Sequence, residues 1–279
     1  MLNVFYFPTT LHPMRISRIL TPEGSCYAVE KPTGHCICVG TPLTGLVETG
    51  ELVKDPVFLV PIEPTTIYAI GLNYRAHAIE MDKPIPEHPV VTMKSPTAVL
   101  ASKGQIVLPR FLPSDSVDYE CELVIVIGKT CKNATKANAL DHVLGYTAAN
   151  DVSARDWQKI YSGGQWCKGK TFDTFCPLGP VIVTPDEIGN PDALQIRTVL
   201  NGEEVQCSNT SDMIFSVSDL IVFLSGSTTL APGTIILTGT PTGVGVARQP
   251  QRFLQAGDQV VIEIEGIGRL ENTVTEEVI

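Results

Sequence analysis

Glu120 and Glu122 stand two residues apart at the head of an apolar run, and Asp151 follows in Asn150-Asp151-Val152-Ser153-Ala154-Arg155-Asp156. Side chains alternate faces along a strand, so the two glutamates share one face while Cys121, Leu123, Ile125 and Ile127 take the other. Two like charges beside a buried run are costly unless a positive group lies between them. A hard divalent cation is the simplest such group, with Asp151 as the third oxygen ligand. An all-oxygen set points to Mg²⁺, Mn²⁺ or Ca²⁺, because zinc prefers His and Cys. Three carboxylates leave positions open on a six-coordinate ion, where a chelating substrate or water can be polarised. A solvated strand face is the plain alternative.

Three other segments carry candidate chemistry. In Gly71-Leu72-Asn73-Tyr74-Arg75-Ala76-His77-Ala78-Ile79-Glu80, Asn73 can cap a short helix that sets His77 and Glu80 on one face at i, i+3. A carboxylate on one ring nitrogen orients a histidine and makes the other nitrogen a better base; a surface His–Glu pair is the alternative. His12, His35, His88 and His142 have no comparable setting. In Lys168-Gly169-Lys170-Thr171-Phe172-Asp173, a lysine beside glycine can approach an anion closely and stabilise a carboxylate or enolate, unless both lysines are solvated in a loop. Thr238-Gly239-Thr240-Pro241-Thr242-Gly243-Val244-Gly245 closes a strand with a glycine-rich turn. It lacks the Gly-Lys-Ser/Thr of a P-loop and the third glycine of a dinucleotide fingerprint. Its amides and the Thr240 hydroxyl remain able to hold a substrate carboxylate.

The elements that must position these groups are mostly strands. Runs at 123–127, 181–183, 194–200, 234–238 and 259–264 read as β, and shorter pieces at 15–20, 25–29 and 36–39 form a β-rich lead-in. Asn201-Gly202 is a strong hairpin signal, because both positions tolerate positive φ, and Gly266-Ile267-Gly268 marks a second hairpin. Helices are expected at 135–144 and at 213–224, the latter capped by Thr210 or Ser211. Prolines 56, 61 and 64 punctuate a connector, so the chain divides into a small N-terminal β-rich domain, 1–62, and a larger domain, 63–279. The fold class is α+β, mostly β, with helices between strand groups rather than in regular βαβ alternation.

Composition narrows the partners. A net charge of −10 with no Lys/Arg-rich run argues against nucleic acid. The apolar stretches, such as 220–224, are far short of the roughly 20 residues of a membrane span. No signal-peptide pattern opens the chain, and the 8 cysteines contain no Cys-x-x-Cys pair, so free thiols and a cytoplasmic setting are expected.

Taken in order, Gly71-Leu72-Asn73-Tyr74, Asp118-Tyr119-Glu120-Cys121-Glu122-Leu123, Gly145-Tyr146, residues 150–156 and 169–173, Pro177-Leu178-Gly179-Pro180, Asn201-Gly202-Glu203 and residues 238–243 resemble the fumarylacetoacetate hydrolase family. The likeness runs from about Ile67 to Val274, and residues 165–180 with Gly243-Val244-Gly245-Val246 look most like its domain-containing protein 2 branch. The resemblance implies a mixed β-roll or β-sandwich, a homodimer, and Mg²⁺ or Mn²⁺ held by Glu120, Glu122 and Asp151. It implies a His77–Glu80 dyad on a mobile lid, an active-site Lys170, and substrate contacts from Gln158 and Thr240, with Arg155 a further candidate. No carboxylate lies between Ile67 and His77, so the chain follows the family's three-ligand pattern. The expected substrate is a small 2-oxo or enolisable dicarboxylate or diketo acid. The expected reaction is C–C bond hydrolysis. Oxaloacetate tautomerisation, 2-hydroxyhepta-2,4-diene-1,7-dioate isomerisation and oxo-acid decarboxylation are alternatives, and a non-catalytic metal-binding protein is the alternative of another class.

Overall fold

The structure, a computed structural model, describes residues 14–279. It opens with an antiparallel meander of β1 (Arg15–Thr21), β2 (Gly24–Lys31), β3 (Gly34–Thr41) and β4 (Gly45–Val53). Two-residue turns join the first three strands, and Gly34, at φ 144°, is the one residue type that fits its turn: a Cβ there would lie 2.8 Å from the Val53 carbonyl oxygen. The proline-punctuated connector carries a short strand, β5 (Val57–Leu59), paired with β1. There follow β6 (Thr66–Gly71), α1 (Arg75–Glu80), β7 (Val90–Lys94), β8 (Val99–Leu100) and β9 (Gln105–Leu108). The middle of the chain supplies β10 (Val117–Asp118), β11 (Cys121–Ile127), β12 (Val143–Asn150), β13 (Ser153–Ala154), α2 (Arg155–Lys159) and β14 (Cys176–Val183). The rest comprises α3 (Pro185–Ile188), β15 (Gln195–Leu200), β16 (Glu203–Asn209), α4 (Val217–Ser225), β17 (Thr234–Leu237), β18 (Gln259–Ile264) and β19 (Gly268–Glu276).

A 12-stranded sheet runs β4-β3-β2-β1-β14-β12-β11-β17-β6-β7, with β5 beside β1 and β8 beside β14. A 5-stranded sheet, β16-β15-β18-β19-β9, lies across its centre, and β10 and β13 pair separately. The fold is therefore mostly β with short helices between strand groups, as the strand pattern and turn residues imply.

β11 is the strand on which the site depends. All seven of its residues are buried, because each face meets a different core. Cys121, Leu123, Ile125 and Ile127 join Ile196, Val260, Ile262 and Ile264 of the smaller sheet, whereas Val124 and Val126 join Leu178, Ile235 and Leu237 on the other side. This is the period-2 alternation expected of it, and it leaves Glu122 in a strand with no solvated face.

Two helices differ from expectation. The segment 135–144 forms only a 3-10 turn, Ala139–His142, and Val143 already begins β12. The Asn138 side chain accepts from the Thr135 amide and hydroxyl, a local bond that competes with a helix, while residues from Val143 onward gain a full antiparallel ladder against β11. The second helix starts at Val217 rather than at 213. Its cap is Ser216, in a reciprocal box with Asp219, while Thr210 and Ser211 belong to a separate 3-10 turn capped by Asn209. The Asn201-Gly202 hairpin forms as expected, with Leu200 opposite Glu203 and positive φ at both turn residues. All eight cysteines are free, and among the described residues no helix is long and apolar enough to cross a membrane.

Candidate active site

Register builds the carboxylate cluster. Cys121 of β11 lies opposite Asn150 of β12, so the residues just beyond the ladder, Glu120 and Asp151, are brought side by side. The Asp151 amide donates to the Glu120 carbonyl at 2.8 Å and the Glu120 amide to Asn150 Oδ1 at 2.9 Å. Glu122 projects from the same face as Glu120. Ligand oxygens of Glu120, Glu122 and Asp151 all fall within 4.8 Å of one another, and all three residues are buried.

Three cations are folded in among them. Lys170 Nζ contacts Glu120 Oε2 at 2.9 Å, Asp151 Oδ2, and the Ser153 hydroxyl at 2.8 Å. Lys94 Nζ donates to Asp151 Oδ1 at 2.6 Å and to the Val152 carbonyl at 3.1 Å. Arg155 reaches Glu120 Oε1 with Nη1 at 2.7 Å and Asp118 Oδ2 with Nε at 2.9 Å. Lys170 arrives because Gly169 lets the Trp166–Lys170 turn close onto α2; a Cβ on Gly169 would sit 2.6 Å from the Gln158 amide nitrogen. Lysine 170 is thus buried against carboxylates, and the solvated-pair alternative does not apply. Lys168 lies instead over the Phe172 ring, 4.3 Å from its centroid.

The electrostatics single out one carboxylate. Burial raises Glu120, but Arg155 and then Lys170 outweigh it and hold its carboxyl far below the usual range. Burial pushes Glu122 well above that range, and the neighbouring Asp151 and Glu120 push it further. Among the described residues its hydrogen-bond donor is the Gly239 amide, at 2.7 Å. A buried acid that, among the described residues, no cation contacts directly, facing two other carboxylates, fits an added cation, and the all-oxygen donors fit a hard one. Glu120, Glu122 and Asp151 would hold it.

The histidine pair forms as its spacing implies: His77 Nδ1 and Glu80 Oε2 are 2.7 Å apart, with His77 buried. Asn73 does not cap this helix. Tyr74 takes the cap position without a side-chain bond, while the Asn73 amide spans to the Thr238 carbonyl at 2.7 Å and accepts from the Phe215 amide at 2.9 Å. Asn73 therefore braces the β6–α1 junction against the loop after β17, the loop that donates to Glu122. The other carboxylate oxygen of Glu80 accepts from the Gly243 amide at 2.8 Å. Gln158 accepts from Arg155 Nη1 at 3.1 Å, and Thr240 accepts at its hydroxyl from Gln206 at 2.9 Å.

Lys94, Asp118, Tyr119 and Gln206 belong to this network and were not anticipated. Lys94 ends an exposed-looking strand segment, Val-Val-Thr-Met-Lys, that reads as a sheet edge. Its alternation with the buried Thr92 is the one local sign that it points inward.

Fold and site together describe a class of enzyme: a β-roll that buries a carboxylate trio suited to a hard cation and sets a carboxylate-oriented histidine on a short helix. Comparison with known proteins agrees. The family described as fumarylacetoacetate (FAA) hydrolase C-terminal matches residues 66–275. The mitochondrial oxaloacetate tautomerase fahd2 of Xenopus laevis is 49% identical over 217 residues, covering 77% of this chain and 67% of that protein. The mitochondrial oxaloacetate tautomerase FAHD2A of Homo sapiens is 46% identical over 222 residues, covering 79% and 70%. Among solved structures, the 5-carboxymethyl-2-hydroxymuconate delta-isomerase of Mycobacterium smegmatis superposes with TM-score 0.84 at 39% identity, covering 95% of this chain and 100% of that one. A fumarylacetoacetate hydrolase of Exiguobacterium antarcticum superposes at 0.86 with 33% identity and the same coverage. The chain belongs to the fumarylacetoacetate hydrolase family.

Proposed function

We propose that this enzyme interconverts the keto and enol forms of oxaloacetate, or of a closely similar 2-oxo dicarboxylate, at the Glu120/Glu122/Asp151 centre with Mg²⁺ or Mn²⁺. Ca²⁺ suits the oxygen donors but asks for more of them. The observation that carries the choice of reaction is the 46–49% identity to relatives named for that activity. It moves tautomerisation ahead of the C–C hydrolysis that the family resemblance put first. Isomerisation of hydroxymuconate-type dicarboxylates is the second reading, favoured by the 39% identity to a structure named for it.

The ion, when bound, supplies Lewis acidity toward the chelated 2-oxo acid. The rest falls to the chain. His77, oriented by Glu80, takes the proton from the carbon beside the 2-oxo group and returns it to the enolate oxygen, or runs the reverse. Lys170, a buried ammonium among carboxylates, balances the enolate charge. Burial lowers its affinity for a proton, but Asp151, Glu120 and Glu122 together raise it, so the ammonium persists at neutral pH. Gln158 and Thr240 bond substrate oxygens, and Arg155 adds charge from behind Glu120. A homodimer is the assembly that the family resemblance favours. Free thiols suit a reducing compartment, the cytoplasm or a mitochondrial matrix alike.

The test is proton NMR of oxaloacetate with the enzyme and Mg²⁺. Faster enol decay with carbon count intact is expected. Release of oxalate and acetate would establish hydrolysis instead, and release of pyruvate would establish decarboxylation. With His77→Ala, Mn²⁺ binding should persist while turnover falls at least 100-fold; retained turnover would remove the dyad from the mechanism.

A further inference from the structure

Glycine 243 is gripped from both sides. Its amide donates to Glu80 Oε1 at 2.8 Å, and its carbonyl accepts from the Tyr119 hydroxyl at 3.0 Å. It has φ 100°, and a Cβ there would run into the Val205 carbonyl oxygen, so the backbone fits only as glycine. Two residues on, the Gly245 and Val246 amides donate to the two oxygens of Asp118, at 2.7 and 3.0 Å. Asp118 is fully buried and held in turn by Arg155 at 2.9 Å. A Cβ on Gly245 would lie 2.6 Å from Asp118 Oδ1, so the loop rests directly on that carboxylate.

Residues 118–120 thus carry, in succession, an anchor for Gly245 and Val246, an anchor for Gly243, and a carboxylate of the metal site. Tyr119 and Glu120 form the two-residue link between β10 and β11, so the anchors and the carboxylate are covalent neighbours. The helix that bears His77 has six residues, too few to hold itself in water. Its start is tied by the Ala76 amide to Asp212 at 3.0 Å, and its end by Glu80 to Gly243. With its start fixed, the seating of the C-terminal end of the helix, and with it the Glu80 carboxylate on His77, depends on where Gly243 is held.

We propose that Tyr119 and Asp118 are positioning residues that set, through the backbone of residues 243–246, where the His77–Glu80 helix docks over the carboxylate centre. The proposal rests on the reading of His77 and Glu80 as working at that centre. Both residues are fully buried. Both act through the 243–246 backbone, whose Gly243 amide donates to Glu80, and this separates them from residues that merely support the fold.

A double-mutant cycle tests it. Tyr119→Phe removes one hydroxyl, and Glu80→Gln weakens the bond that the hydroxyl supports. Each single variant should speed hydrogen exchange of the residue 77–80 amides about 5-fold and slow oxaloacetate turnover by a similar factor. In the Glu80→Gln background, adding Tyr119→Phe should change either readout less than 2-fold, and Mn²⁺ affinity should stay within 2-fold throughout. Single effects that multiply to their product would overturn the proposal, as would Mn²⁺ affinity falling in step with turnover. Asp118→Asn should show the same non-additivity with a larger effect; if it does not fold, the Tyr119 cycle decides alone. Should the wild-type enzyme leave oxaloacetate unchanged, the substrate reading fails, yet the exchange cycle still judges the docking role.

Discussion

Glu122 and Glu120 share a face but titrate in opposite directions, and this gives the protein a pH signature. In the ion-free protein Glu122 titrates above its ordinary 4.5. Its contribution to stability is full below 4.5 and declines as pH rises through the folded value. Glu120 is depressed, so its contribution is present above 4.5 and lost as pH falls through its folded value. Melting temperature in EDTA should therefore fall as pH rises above 4.5, and Mg²⁺ should flatten that fall, because proton and ion compete for Glu122. Parallel melting curves with and without Mg²⁺ would remove Glu122 from the ligand set. Glu122→Gln should raise the ion-free melting temperature while weakening Mn²⁺ binding at least 100-fold by equilibrium titration. Lys94→Met leaves Asp151 short of a buried partner and should cost on the order of 3–5 kcal/mol in urea unfolding; a change under about 1 kcal/mol would mean the pair contributes little. At this scale the carboxylate trio was readable and one of the bases, Lys94, was not. Glu-x-Glu and the later Asp151 announce a charge problem by spacing alone. The answer to it, Lys94, comes from a distant strand whose own residues look like an ordinary sheet edge, and only its alternation with Thr92 hints that its ammonium turns inward.

The elements were readable where a single period or turn chemistry governs them. β11 alternates between two cores, and Asn201-Gly202 forms its hairpin, because in both cases the local preference and the tertiary demand agree. The helix expected at 135–144 fails because those two disagree: Leu144 and its neighbours have helical spacing, yet β11 offers them a ladder of antiparallel partners. The start of α4 was misplaced for a related reason. Several cap-capable residues precede it, and Ser216 is the one that closes a reciprocal box, with Asp219. The short turn at Trp166–Lys170 carries the proposed active-site lysine, and glycine 169 lets it close onto α2. Gly169→Ala should separate this turn from α2 and lower turnover more than 10-fold, with a fall in melting temperature of several degrees. Wild-type turnover in that variant would show that Lys170 reaches its place by another route.

On the scale of the whole chain, the meander of residues 15–53 is not independent of the site. β1 pairs with β14, and β14 with β12, so the first strand lies two places from the strand that ends at Asn150. We propose residues 1–62 as a structural appendage whose removal uncovers the β14 edge. The shortened chain, 63–279, should melt lower and aggregate on concentration, as seen by calorimetry and light scattering. An unchanged melting temperature would argue for an independent domain. Light scattering on the full chain also tests the homodimer, since a monomer mass would refute it. The buried charges bear on how the enzyme is made. Asp118, Glu120, Glu122 and Asp151 face Lys94, Lys170 and Arg155, four acids against three bases, so most of the charge is balanced by the chain itself. On the proposed metal-dependent reading, biosynthesis can then run ahead of mineral supply: the polypeptide would reach its native form first and take up its ion afterwards. Cells starved of magnesium and manganese should accumulate folded, activatable enzyme, and the choice of ion passes from the ribosome's surroundings to the compartment where the finished protein resides.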